Sequence, residues 1–183
     1  MKVLLHICCA PCSIECIASL REEGISPVGF WDNPNIHPFT EHRSRKNALI
    51  EYAAQANFPI VQHGAYGLRP FLQETAASIT NRCNVCYDMR MQATARYASE
   101  NGFSHFSTTL FISPYQDHRL LRTAAERAAC DAGITLLYRD FRPAFRSGQT
   151  KARALGLYMQ KYCGCIFSEE ERYQKRSPRH QAL

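Results

Sequence analysis

Seven of the nine cysteines in this 183-residue chain fall into three tight groups: Cys8-Cys9-Ala10-Pro11-Cys12, Cys83-Asn84-Val85-Cys86 and Cys163-Gly164-Cys165. Thiolates are strong ligands for zinc and for iron–sulfur clusters, so thiols gathered this way point to a metal. Cys83 and Cys86 stand three apart at the start of a predicted helix and share a face of it. The positive end of a helix favours thiolate and an anionic group beside it. Cys8 and Cys9 are adjacent, on a loop able to turn both sulfurs inward. Two plus two makes four thiolates, which suits a [4Fe–4S] cluster or a structural zinc.

A structural zinc closes its shell with four ligands, whereas Cys12, Cys163 and Cys165 are left over here. That surplus favours a redox site. A Cys163–Cys165 disulfide would close a small, strained and easily reduced ring. The pair is therefore either a redox couple or, with Cys12, the holder of one more iron. Cys16, one turn after Cys12, and Cys130, in an Ala-rich helix, read as core.

The elements that must position these sulfurs alternate between strand and helix. Strands are predicted at 3–7, 27–31, 58–62, 104–109 and 134–138. Helices are predicted from Ser13 to Glu23, from Pro38 to Gln55, around 70–75, over 82–100, over 117–131 and over about 149–158. This order argues for an α/β, three-layer Rossmann-like domain with a mainly parallel sheet of about five strands. One domain is predicted over 1–168, followed by a polar, basic and flexible tail over 169–183. In such sheets ligands bind past the carboxyl ends of the strands. Cys8, Cys9 and Cys12 follow the first strand, the Asp32 loop follows the second, and the loop over 108–116 follows the fourth.

With 45% hydrophobic residues the chain has enough core to fold unaided. It has no apolar run of about 18 residues, and its first apolar run ends at a Cys-Cys-Ala-Pro turn, which is no cleavage site. A cytoplasmic location without membrane association is expected, and there clustered cysteines serve metals or catalysis more often than disulfides. The net charge of +6 is concentrated in Arg139, Arg142, Arg146, Lys151 and Arg153, in Arg172, Lys175, Arg176 and Arg179, and in Arg43, Arg45 and Lys46. Such patches raise the odds of a polyanionic partner.

Several segments together resemble the QueH family of epoxyqueuosine reductases. They are CCAPC at 8–12, NPNIHP at 33–38 with Glu41 and Arg45, RCNVCYDMR at 82–90, STTLFISPYQDH at 107–118 and YCGC at 162–165. The resemblance implies an oxidoreductase that removes the epoxide oxygen of epoxyqueuosine at the wobble position of tRNA, drawing electrons from an external donor. It implies a [4Fe–4S] cluster on Cys8, Cys9, Cys83 and Cys86, with Cys163 and Cys165 as a redox-active pair or as ligands of an adjacent iron. Some members carry Asp where this chain has Cys12, and both residues can ligate iron. Cys12, Cys163 and Cys165 are thus the candidate catalytic residues, and one additional iron ion the candidate second cofactor.

His37, Glu41, Arg45, Tyr87, Tyr115 and Gln116 are candidate substrate-binding residues, as acids or positioning groups; Asp117 is a further acid or a helix cap. The modified base must be flipped out of the anticodon loop, and Trp31, Phe39 and Tyr115 are the aromatics available to stack on it. An iron–sulfur tRNA thiolation enzyme of the ATP-pyrophosphatase type shares this architecture. It needs a Gly- and Ser-rich phosphate loop after the first strand, where this chain carries cysteines. A zinc-stabilised RNA-binding module is the non-enzyme alternative, a colourless zinc protein where an iron–sulfur protein is brown; a plain thiol–disulfide oxidoreductase fits Cys83 and Cys86 but leaves five clustered thiols unexplained.

Overall fold

The computed structural model describes residues 1–174 of the chain. Five strands form one sheet: β1 (Val3–His6), β2 (Val28–Trp31), β3 (Ile60–Gln62), β4 (His105–Thr108) and β5 (Thr135–Leu136). Their order is β3-β2-β1-β4-β5 and every pairing is parallel. β1 is the centre of the sheet and buried along its whole length, which is why Val3-Leu4-Leu5 reads as an unbroken apolar run.

The helices are α1 (Ala10–Glu22), α2 (Phe39–Gln55), α3 (Leu68–Thr75), α4 (Arg82–Glu100), α5 (His118–Ala132), α6 (Phe145–Ala154) and α7 (Ile166–Gln174). Right-handed crossovers place α1 and α2 over one face and α4 and α5 over the other. Accordingly α4 packs on α5, while α1 packs on α6 and α2. This is the predicted three-layer α/β domain. No helix among the described residues is long and apolar enough to cross a membrane.

Strands β3 and β5 are shorter than expected, and three helix boundaries differ from the sequence expectation. Helix α1 starts at Ala10 rather than Ser13, because Pro11 preforms its first turn; Ser13 donates its hydroxyl to the Ala10 carbonyl instead of capping. Helix α6 spans Phe145–Ala154, several residues earlier than about 149–158, since Pro143 initiates a turn that feeds directly into it. Helix α7 occupies the first residues of the predicted tail. Lys175, Arg176 and Arg179 lie outside the described residues.

Strand order reverses at β1, between β2 on one side and β4 on the other. The loops leaving β1 and β4 therefore diverge and open a crevice at their carboxyl ends. Cys8 and Cys9 leave β1 there, and Thr109 leaves β4.

Candidate metal centre

Cys8, Cys9 and Cys12 are buried, and their sulfurs all lie within 4.8 Å of one another. Cys9 is the N-cap of α1, without a side-chain capping bond, and Cys12 sits in its first turn, so all three face the positive end of the helix. Thr109 ties the β4 side to this group: its hydroxyl accepts from the Cys8 amide (3.3 Å) and donates to Cys8 Sγ (3.6 Å). From the opposite wall, Gln160 Nε2 donates to Cys9 Sγ (3.0 Å) and Cys12 Sγ (3.6 Å). Hydrogen bonds from the Cys12 and Cys9 thiols hold Cys8 well below the usual thiol range, with Arg90 helping against burial. Burial pushes Cys9 up, and the hydrogen bond with Cys8 pushes Cys12 up. Cys8 is thus the first thiolate of the three.

Cys83 and Cys86 stand in the first turns of α4, as the spacing predicts, but outside this compact group. Burial pushes the Cys86 thiol up to about 12, Arg90 pulls it down, and the Cys163 and Cys165 sulfurs push it further up. Burial likewise raises Cys83, followed by Cys163. Arg90 donates from Nη1 to Cys86 Sγ (3.7 Å) and from Nη2 to Asn33 Oδ1 (2.8 Å).

The Cys163-Gly164-Cys165 loop is clamped from α2 and from the segment before it. Arg45 donates to the carbonyls of Cys163 (2.9 Å) and Tyr162 (3.0 Å) and to Glu41 Oε1 (2.7 Å). Glu41 also accepts from Tyr158 Oη. The amide of His37 donates to the Gly164 carbonyl (2.8 Å), and its ring Nδ1 accepts from the Ile166 amide (3.3 Å). His37, Glu41 and Arg45 are all buried, with their polar atoms engaged by this loop, by Pro34, by Tyr158 or by one another, rather than facing an open cleft. Gly164 has φ +150°, a backbone conformation that residues with a Cβ rarely adopt. Only glycine fits between the two cysteines.

At the mouth, Tyr87 donates its phenol to Gln116 Oε1 (2.8 Å), and Gln116 Nε2 donates to Cys163 Sγ (3.4 Å). Tyr115 is 83% exposed, with its ring edge-on to Phe145. Asp117 is the cap of α5 and accepts from the Leu120 amide. Of the aromatics named for stacking, Trp31 is fully buried and belongs to the core, because β2 lies inside the sheet; Phe39 and Tyr115 are exposed. Much of the basic stretch is paired: Arg139 with Glu23, Arg142 with Asp140 and Lys151 with Glu15. Arg146 and Arg153 have no carboxylate partner among the described residues.

The family profile described as "Epoxyqueuosine reductase QueH" matches residues 3–171. The chain belongs to the QueH family. Among QueH relatives bearing that name, one from Dehalococcoides mccartyi is 38% identical, covering 95% of this chain and 96% of its own. One from Acinetobacter baylyi is 36% identical, covering 91% and 80%. One from Thermotoga maritima is 30% identical, covering 94% and 93%. A solved structure described as a predicted subunit of tRNA methyltransferase from Methanocaldococcus jannaschii aligns with TM-score 0.54 at 11% identity. It covers 86% of this chain and 89% of its own, and it shows the fold alone.

The donor set of this QueH chain fits a thiolate-bound metal: three convergent sulfurs with Gln160 Oε1 buried beside them and unpartnered. Gln160, Thr109 and Arg90 escape the sequence reading. Thr109 and Arg90 lie within the resembling segments at 107–118 and 82–90, and Arg90 stands four residues after Cys86 on the same helix face; Gln160 carries no such signal.

Proposed function

We propose that this chain reduces epoxyqueuosine to queuosine at the wobble position of tRNA. The observation that carries the reading is the convergence of the Cys8, Cys9 and Cys12 sulfurs in the crevice of a chain whose relatives bear the name of this reaction. Converting an epoxide to an alkene takes two electrons and two protons and releases water. Side chains do not supply low-potential electrons, so a cofactor must.

The proposed ligands of a [4Fe–4S] cluster are Cys8, Cys9, Cys83 and Cys86. Cys12, Cys163 and Cys165 are left for one additional iron, or the last two for a disulfide-forming couple. When bound, such a centre supplies electrons and a Lewis-acidic site for the leaving oxygen. The remaining roles belong to the protein. Arg45, Glu41 and His37 serve the reaction through the loop they hold, fixing Cys163 and Cys165 in place. Burial holds the Tyr87 phenol well above its ordinary pKa, so its proton is retained at neutral pH for the departing oxygen. Gln116 orients that phenol against Cys163. Tyr115 and Phe39 offer exposed rings for anticodon bases, and Arg146 and Arg153 offer charge to phosphates.

The test uses anaerobically reconstituted protein, dithionite as reductant, and an anticodon stem-loop carrying epoxyqueuosine. Mass spectrometry should show loss of one oxygen from the nucleoside, and none with Cys8→Ser. Iron-loaded, reduced protein that binds the stem-loop yet leaves the epoxide intact would refute the proposal.

A further inference from the structure

Arg90 is 2% exposed, near the middle of α4. Its guanidinium donates to Asn33 Oδ1 (2.8 Å), His6 Nε2 (3.3 Å) and Cys86 Sγ (3.7 Å). No carboxylate pairs with it among the described residues. Asn33 is neutral, and His6 accepts at Nε2, so that ring is neutral too. Arginine keeps its proton in proteins, and a buried charge without a counter-charge is costly. Sulfur is what remains to balance it: Cys86 Sγ accepts from the guanidinium, and Cys86 is one of the proposed thiolate ligands.

The placement is rigid. Asn33 Nδ2 also donates to the Ile7 carbonyl (2.9 Å), so one side chain fixes both the guanidinium and the backbone leading into Cys8. His6 Nδ1 bonds Thr108 Oγ1 (2.9 Å), anchoring the same ring to β4. Arg90 therefore bridges the two cysteine groups that come from β1 and from α4.

We propose that Arg90 is the fixed counter-charge of the metal centre and sets its reduction potential. The proposal rests on the iron–sulfur reading above. Each electron added to a thiolate-ligated cluster adds one negative charge. A cation held in a low-dielectric interior, hydrogen-bonded to a ligand sulfur, stabilises that reduced state more than the oxidised one. Arg90 is thus a positioning residue that acts through Cys86 and raises the potential at which an external donor can load the centre.

Wild-type protein, Arg90→Gln and Arg90→Lys are reconstituted anaerobically with iron and sulfide. Iron is counted per chain, and the midpoint is measured by redox titration followed by electron paramagnetic resonance. The midpoint should fall in Arg90→Gln and lie between the two in Arg90→Lys, which keeps the charge and loses the planar fork. An iron-loaded Arg90→Gln with the wild-type midpoint overturns the proposal and leaves the centre standing. Wild-type protein that takes up no iron overturns the underlying reading instead. If Arg90→Gln does not fold, Arg90→Met, which removes the charge and keeps the apolar stem, decides: an iron-loaded protein with the wild-type midpoint overturns the proposal.

Discussion

Arg45→Met should free the Cys163–Cys165 loop without dismantling the sheet. The substitution keeps most of the aliphatic stem and removes three donors: Nε to Glu41 (2.7 Å), Nη1 to the Cys163 carbonyl (2.9 Å) and Nη2 to the Tyr162 carbonyl (3.0 Å). Glu41 keeps its bond from Tyr158. A hydrogen bond to a charged group contributes about 1.5–3 kcal/mol, and an opened loop regains water at both carbonyls. Taking the low end for each carbonyl, the free energy of local opening falls by about 3 kcal/mol. At about 1.4 kcal/mol per decade, the open population rises roughly hundredfold. Global stability should fall as well, because removing one partner of a buried pair costs about 3–5 kcal/mol.

The assay separates the two effects by iodoacetamide labelling of reduced, metal-free protein, with each cysteine followed by peptide mass spectrometry. Cys165 is 9% exposed and reacts only when the loop opens; Cys16 is 0% exposed in α1 and reacts only on larger unfolding; Cys163 is exposed and reports the loop's unprotected reactivity. In Arg45→Met, Cys165 labelling should accelerate roughly hundredfold relative to Cys163. If Cys165 labelling relative to Cys163 stays at its wild-type value, the clamp is not what protects the loop, and the reasoning fails.

Two further outcomes are expected. The His37 ring donates from Nε2 to the Pro34 carbonyl and accepts at Nδ1 from Ile166, and burial lowers its pKa from 6.5 to about 4. Between those values the unfolded chain holds the proton that the folded ring refuses, so stability is lost as pH falls through this window, by at most about 1.4 kcal/mol per pH unit. Urea unfolding at several pH values should show that slope, and His37→Gln should flatten it. Because Arg139, Arg142 and Lys151 are already paired, Arg146 and Arg153 should dominate RNA attraction along this stretch. Arg146→Glu should weaken anticodon stem-loop binding and reduce its salt dependence, measured by fluorescence anisotropy, whereas Arg142→Gln should change it little.

Much of this protein is legible in its residues alone. Val3-Leu4-Leu5 announces a strand buried on both faces, and Gly24, Gly102 and Gly133 mark the turns where helices stop, because both signals are local and follow from backbone preference and burial. The cysteine spacings point to a metal for the same reason: thiols grouped at those intervals are the usual ligands of zinc and of iron–sulfur clusters. Tertiary structure alone decides which sulfurs meet. Cys12 joins Cys8 and Cys9 because α1 begins at Ala10 and winds its first turn back over the loop. The pair Glu41–Arg45 resembles a surface ion pair in the sequence, yet α2 turns that face inward onto a loop more than a hundred residues away. Gln160 and Arg90 reach the sulfurs from separate segments, Gln160 from the stretch beyond α6 and Arg90 from α4, and no pattern in the chain encodes the meeting of Gln160 with Cys9. Periodicity determines which face of an element is apolar. Only the packing of several such faces at one sheet crossover determines which polar groups are trapped together, and those trapped groups make the site.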